Sequence, residues 1–229
     1  MTTISANLQA VLARISKAAQ KYGRNPDDIS LLAVSKTWPA SDVREAVDAG
    51  QRAFGENYVQ EGVEKAVELA ARGLIWHFIG PLQSNKTRRI AETFDWVHSV
   101  DRLKIAERLS EQRPDGLPPL QICLQINVSG EETKSGVSLS ELPQLAQQVA
   151  RLPRLQLRGL MAIPAPLEDF AAQRQSFRRV REACEQLRGE GFALDTLSMG
   201  MSHDLEAAIA EGATLVRVGT AIFGERNKP

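Results

Sequence analysis

The feature that most constrains this chain is an alternation. Short apolar runs bounded by glycine, proline and polar turn residues recur along it at 31–34, 52–55, 74–80, 96–100, 121–128, 155–161, 192–197 and 215–219. Helix-patterned segments separate them: 41–49, 57–72, a short one from Gln83 to about Ala91, one around Leu103, Ile105, Ala106 and Leu109, then 169–188 and 203–211. Ser138 and Glu141 have the spacing of a capping box for a further helix. Strand–helix alternation implies parallel strands joined by right-handed crossovers. Eight such units are what closes a barrel, so the expected class is α/β, a (β/α)8 TIM barrel. The stripe Ile4, Leu8, Val11, Leu12 and Ile15 predicts an extra N-terminal helix over 4–21, stopped by Gly23 and Pro26. A doubly wound open sheet would need fewer strands or a marked linker. The chain shows no linker, low-complexity tract or composition shift, so residues 1–229 read as a single domain.

Composition excludes several function classes. Lys plus Arg number 28 and Asp plus Glu number 28, so no bulk charge favours nucleic acid or an anionic membrane. Trp38, Trp76 and Trp96 are not interleaved with basic residues. Cys123 and Cys184 have neither metal-ligand spacing nor a disulfide pattern and read as core thiols in a reducing compartment. No signal-peptide pattern and no run of eighteen apolar residues is present, which predicts a soluble cytoplasmic protein.

In a parallel barrel, residues that follow the strands converge on one rim. Lys36 follows the buried run Leu31–Val34, and desolvation there would lower its pKa and make the amine reactive toward an aldehyde. A lysine that snorkels past a strand end is the plainer alternative. Other rim candidates are Asn57, Gly80–Lys86, Ser99–Arg102, the loop 130–136, Met161, Ser198–Ser202 and Arg217–Gly224. Ser198, Gly200 and Ser202 precede a helix, and Gly219 and Thr220 follow the next strand. Glycine lets backbone approach an anion and the hydroxyls add donors, so the two loops form a candidate phosphate cup, or else an ordinary helix cap and turn. Arg217 lies inside an apolar strand and requires a carboxylate, a carbonyl or a ligand acceptor; Glu56 is one conceivable partner. His77, His98 and His203 read as satisfied core histidines without metal-ligand spacing, and Lys86-Thr87-Arg88-Arg89 as a solvated helix face.

Five ordered segments carry a resemblance: Leu32-Ala33-Val34-Ser35-Lys36, Phe54–Glu61, His77–Lys86, Ser198–Asp204 and Val216–Gly224. They resemble the pyridoxal phosphate homeostasis protein family (the YggS/PROSC family) over nearly the whole chain. The resemblance implies a fold similar to the barrel domain of alanine racemase without its second, β-rich domain. It implies that Lys36 forms the Schiff base with pyridoxal 5'-phosphate, that Arg217 faces the pyridine nitrogen, and that Ser198, Ser202, Gly219 and Thr220 sit in phosphate-binding loops with Asn57 near the cofactor. It also implies a role in vitamin B6 and amino-acid homeostasis without established catalysis; apo-enzymes are candidate recipients if the chain delivers its cofactor. In the related racemases a second domain and partner subunit complete the opposite face of the substrate. A chain without that domain is expected to be a monomer and a carrier. Two alternatives stay open: a pyridoxal-phosphate-dependent racemase of low activity, and a sugar-phosphate enzyme using Lys36.

Overall fold

The computed structural model describes residues 3–128 and 135–225. Helix α1 (Ile4–Lys21) leads into strand β1 (Ser30–Val34), and the alternation then runs α2 (Ala40–Asp48), β2 (Ala53–Glu56), α3 (Val59–Glu68), β3 (Ile75–Phe78), α4 (Thr87–Thr93) and β4 (Trp96–Val100). It continues α5 (Leu103–Gln112), β5 (Leu120–Gln125), α6 (Leu142–Ala150), β6 (Leu155–Met161), α7 (Phe170–Gly189), β7 (Thr196–Ser198), α8 (Leu205–Ala210), β8 (Leu215–Val218) and α9 (Thr220–Phe223). The eight strands pair in sequence order, all parallel, and β8 returns to β1 with Leu32 opposite Arg217, which closes the barrel. The expected (β/α)8 barrel with an additional first helix is therefore the observed fold.

Period-two alternation sorts each strand into two faces. Leu31 and Ala33, Phe54, Trp76 and Phe78, Val97, Ile122 and Leu124, Leu197, and Val216 and Val218 belong to one hydrophobic cluster shared with the helices. Their strand neighbours Leu32, Cys123, Leu215, His77, His98, Ser198 and Arg217 are also buried but lie outside that cluster. They fill the barrel's interior. The outer core is thus largely apolar, apart from a few buried polar groups such as Glu56 and Lys65, and the interior carries a polar set of its own.

Several elements differ from expectation for local reasons. On α1 the buried face is Leu8, Val11, Ile15, Ala18 and Ala19, while Leu12 turns outward. The segment read as one helix over 57–72 is α3 followed by a 3-10 turn at Ala70–Arg72, ended by Gly73 in the left-handed region. Strand β7 begins at Thr196, not at 192: the chain turns at Gly191, which has φ +97°, and residues 192–195 are irregular before the strand begins. Strand β5 leaves the sheet after Gln125, and Ile126 makes an isolated bridge to Val137. Glu141 N–H does donate to Ser138 Oγ (3.3 Å), but this turn precedes α6 and is not its first turn. Phe170 is exposed and stacks on Tyr22 at 6.4 Å, leaving Phe177, Val180, Cys184 and Leu187 as the buried stripe of α7. Most of the expected polar loop 129–136 falls outside the described residues.

Candidate functional site

At the carboxyl ends of the strands lies an open cavity of about 200 Å³. It is lined by Val34, Lys36, Asn57, Ile79, Ile163, Met201, Ser202, His203, Arg217, Gly219 and Thr220. Six of the residues expected from sequence meet here: Lys36, Asn57, Ser202, Arg217, Gly219 and Thr220. Two do not line it. Ser198 is fully buried beneath Arg217. Gly200 has φ +94°, and a Cβ there would lie 2.5 Å from the Ala208 methyl, so the glycine lets the loop pack on α8. The apolar walls Val34, Ile79, Ile163 and Met201 were not singled out from sequence, although each sits at a strand end or in a loop already marked. His203 is a correction: it is exposed at the cavity wall and is not a core histidine.

Lys36 is set by its two neighbours in the chain. Ser35 is fully buried, and its hydroxyl donates to Glu56 Oε1 (2.6 Å). Lys65 Nζ donates to the Ser35 carbonyl (2.7 Å), to Glu56 Oε1 (2.8 Å) and to Glu61 Oε1 (2.6 Å). Glu61 Oε1 also accepts the Thr37 backbone N–H (2.6 Å). Thr37 has φ +69°, which costs a β-branched residue energy, and this ionic bracket holds the turn in place. Burial raises the Glu56 pKa, opposed by Lys65 and Ser35. Glu56 is therefore the partner of Lys65 and not, as conceived from sequence, of Arg217.

Arg217 meets dipoles instead of a carboxylate. Nη1 donates to the Ser198 carbonyl (2.5 Å) and to Ser198 Oγ (2.9 Å), and Nη2 donates to the Ala162 carbonyl (2.9 Å). Burial pulls its pKa down to about 10, so the guanidinium remains charged at neutral pH. These bonds leave the Nε–H and one Nη2–H for whatever enters the cavity.

The other walls are held from outside. Arg14 Nη1 of α1 donates to the Ser202 carbonyl (2.7 Å), and Asn7 Nδ2 donates to the Ile222 carbonyl (2.9 Å). Gly80 packs on Asn57, where a Cβ would lie 2.2 Å from the Asn57 carbonyl oxygen, and Ser99 Oγ donates to the Gly80 carbonyl (2.5 Å). Asn57 itself keeps a buried Oδ1 with no protein partner, a polar atom that needs one from a ligand or water. The donor set suits a ligand with an anionic end facing Ser202, Gly219 and Thr220, an acceptor facing Arg217, and a carbonyl within reach of an amine.

Residues 6–227 match the family model described as alanine racemase, N-terminal domain. The pyridoxal phosphate homeostasis protein of Pseudomonas aeruginosa is 63% identical over 227 residues, spanning 99% of this chain and 97% of the relative. The chain belongs to the pyridoxal phosphate homeostasis protein family. Among solved structures of similar proteins, PipY of Synechococcus elongatus PCC7942, with PLP bound, superposes with a TM-score of 0.82 at 40% identity, covering 92% of this chain and all of that one. Alanine racemase from Corynebacterium glutamicum matches at a TM-score of 0.70 and 18% identity over 62% of its length, a likeness of fold alone. The homeostasis-family chain thus shares the racemase barrel, as its sequence implied. No helix among the described residues is long and apolar enough to cross a membrane, and none of those residues form a group suited to hold a metal ion.

Proposed function

We propose that this chain holds pyridoxal 5'-phosphate on Lys36 and serves vitamin B6 and amino-acid homeostasis as a carrier, not as an enzyme. The observation that carries this reading is the convergence of Lys36, Arg217 and the Ser202 and Thr220 hydroxyls on one open cavity. The PLP-bound PipY structure supports the cofactor's identity. When bound, the cofactor supplies an aldehyde that reacts reversibly with amines and a phosphate that anchors it. Ser202, Gly219 and Thr220 would hold the phosphate, and Asn57 would border the ring. Arg217 would offer one of its two remaining N–H groups to the ring nitrogen. Arginine does not surrender its proton at neutral pH, so that nitrogen stays unprotonated and the ring is a weak electron sink. Open access for water suits exchange of the ligand better than protection of a reactive intermediate.

The carrier reading takes residues 1–229 as one cofactor-binding domain acting as a cytoplasmic monomer, with apo-enzymes as recipients; light scattering tests the monomer. Borohydride treatment of the protein with pyridoxal phosphate, followed by peptide mapping, tests the site. A pyridoxyl group on Lys36, absent from Lys36→Ala, is expected; a saturated protein with no adduct there would overturn the proposal. A low-activity racemase is the second reading, favoured by His203 at the cavity wall, where a proton acceptor would be useful. Turnover of L- or D-amino acids above background, lost in both Lys36→Ala and His203→Ala, would favour it over the carrier.

A further inference from the structure

A line of polar side chains crosses the inside of the barrel. It starts at Arg217 on β8, in the cavity wall. Arg217 Nη1 donates to Ser198 Oγ on β7 (2.9 Å), and Ser198 Oγ lies 2.7 Å from His98 Nδ1, reaching across the interior to β4. His98 Nε2 lies 2.9 Å from His77 Nδ1 on β3. His77 lines a second cavity of about 380 Å³ with residues from the amino-terminal ends of the strands, among them Ser30, Ile75, Thr196 and Leu215. Its ring stacks on Trp96 at 5.3 Å. All four members of the line are buried.

Hydrogen-bond accounting gives this line one direction. A guanidinium only donates, so Ser198 Oγ accepts from Arg217. The Ser198 hydroxyl hydrogen then needs an acceptor, and His98 Nδ1 is the one within reach among the described residues. With Nδ1 accepting, neutral His98 carries its proton on Nε2 and donates it to His77 Nδ1. His77 in turn carries its proton on Nε2, on the ring's far side from His98. Burial keeps both imidazoles neutral: it pushes His77 down to about 3 and His98 well below the ordinary range, with His77 and the Arg217 charge adding to the effect on His98. Cys123 and Asp204 are the other titratable groups that Arg217 feels. The alternative, a chain donating toward Arg217, would place two donors on Ser198 Oγ and leave its own hydrogen unpaired in the core, at the cost of a buried unsatisfied polar group.

We infer that His98 and His77 are positioning residues for Arg217: a one-way relay of hydrogen bonds through the barrel sets the Ser198 hydroxyl as the acceptor that aims the guanidinium into the cavity. Each link polarises the next, so the Ser198 oxygen becomes a better acceptor because its hydrogen is engaged. The relay ties the aim of a cofactor-facing group to two side chains outside the cofactor cavity. Its effect on the cofactor rests on the function proposed above, whereas its direction does not.

Two measurements test it. On cofactor-free, full-length protein labelled with 15N-histidine, long-range proton–nitrogen spectra should report His77 and His98 both as the neutral Nε2–H tautomer, and Ser198→Ala should remove the bias at His98. A proton on His98 Nδ1 in the unmodified protein would overturn the relay. On protein loaded with pyridoxal phosphate labelled with 15N in the ring, His98→Leu removes the acceptor and should move the ring-nitrogen resonance and speed cofactor release about tenfold, the size of one lost buried hydrogen bond. His98→Asn, whose Oδ1 can stand where Nδ1 stood, should restore both. Identical resonance and release in His98→Leu and the unmodified protein would overturn the role assigned to His98. If the leucine variant does not fold, Ser198→Ala takes its place in the same comparison. If the unmodified protein takes up no pyridoxal phosphate, the carrier reading falls together with any role in aiming at the cofactor, and the tautomers still decide the relay.

Discussion

Lys65 donates from its ammonium to the carbonyl of Ser35, 2.7 Å away, the residue immediately before Lys36. The same ammonium is salt-bridged to fully buried Glu56 at 2.8 Å. A buried pair of this kind contributes little net stability relative to apolar replacements, but breaking it strands a charge. Lys65→Met alone should therefore cost about 3–5 kcal/mol in urea unfolding, whereas Lys65→Met with Glu56→Leu should recover most of that loss. Equal losses in the single and double variants would count against the pair as the source of the effect.

Gly80 leads to a second prediction. A methyl at this position would meet the Asn57 backbone at 2.2 Å, and backbone cannot swing aside as a flexible side chain can. Gly80→Ala should lower stability by about 1–3 kcal/mol, the usual cost of overpacking. It should also weaken pyridoxal phosphate binding by displacing Asn57. Unchanged affinity, measured by fluorescence titration, would remove Asn57 from the binding set.

The phosphate assignment can be separated from the rest of the site. Ser202→Ala and Thr220→Val should each weaken pyridoxal phosphate about tenfold, one charge-assisted hydrogen bond apiece. Neither should alter the affinity for pyridoxal, which lacks the phosphate. Equal losses for both ligands would move these hydroxyls away from the anion.

Acid should destabilise the fold through its interior histidines. His77 is held near 3 and His98 well below its ordinary value, both chiefly by burial, while the unfolded chain takes up protons near pH 6.5. Below that pH the unfolded state binds more protons, so stability is fully present above about pH 6.5 and falls on acidification toward pH 3, by up to ~1.4 kcal/mol per pH unit for each histidine. Glu56, raised from its ordinary value by burial, acts in the opposite sense and blunts the slope. Urea midpoints measured against pH should flatten in the His77→Asn, His98→Asn double variant. An unchanged slope would assign the acid sensitivity elsewhere.

The barrel was legible because the strand–helix alternation is a local property of the chain, and so were the positions of Lys36 and Thr220 just past strand ends and of Arg217 within the last strand. Partner choice was not local. Lys65 sits on an amphipathic helix, where a lysine reads as solvated, and only closure of β1 on β2 brings it under Ser35. His77 and His98 read correctly as satisfied core histidines, but His77 is satisfied by His98 on the next strand, and His98 in turn by Ser198 on β7, a hundred residues away. Ser198 looked like a phosphate donor because it shares a loop signature with Ser202. Strand alternation turns its side chain into the barrel. Phe192 and Leu194 mimic a strand in composition, and Gly191 imposes the turn that denies them one.

The contact between Arg14 and the Ser202 carbonyl joins residues 188 positions apart, and that between Asn7 and Ile222 spans 215. Ser202, Arg217 and Thr220, which line the cavity with Lys36, leave the ribosome long after it. A nascent chain therefore carries the lysine before the opposite wall of its cavity exists. Under the proposed function, capture of the vitamer must wait for that wall.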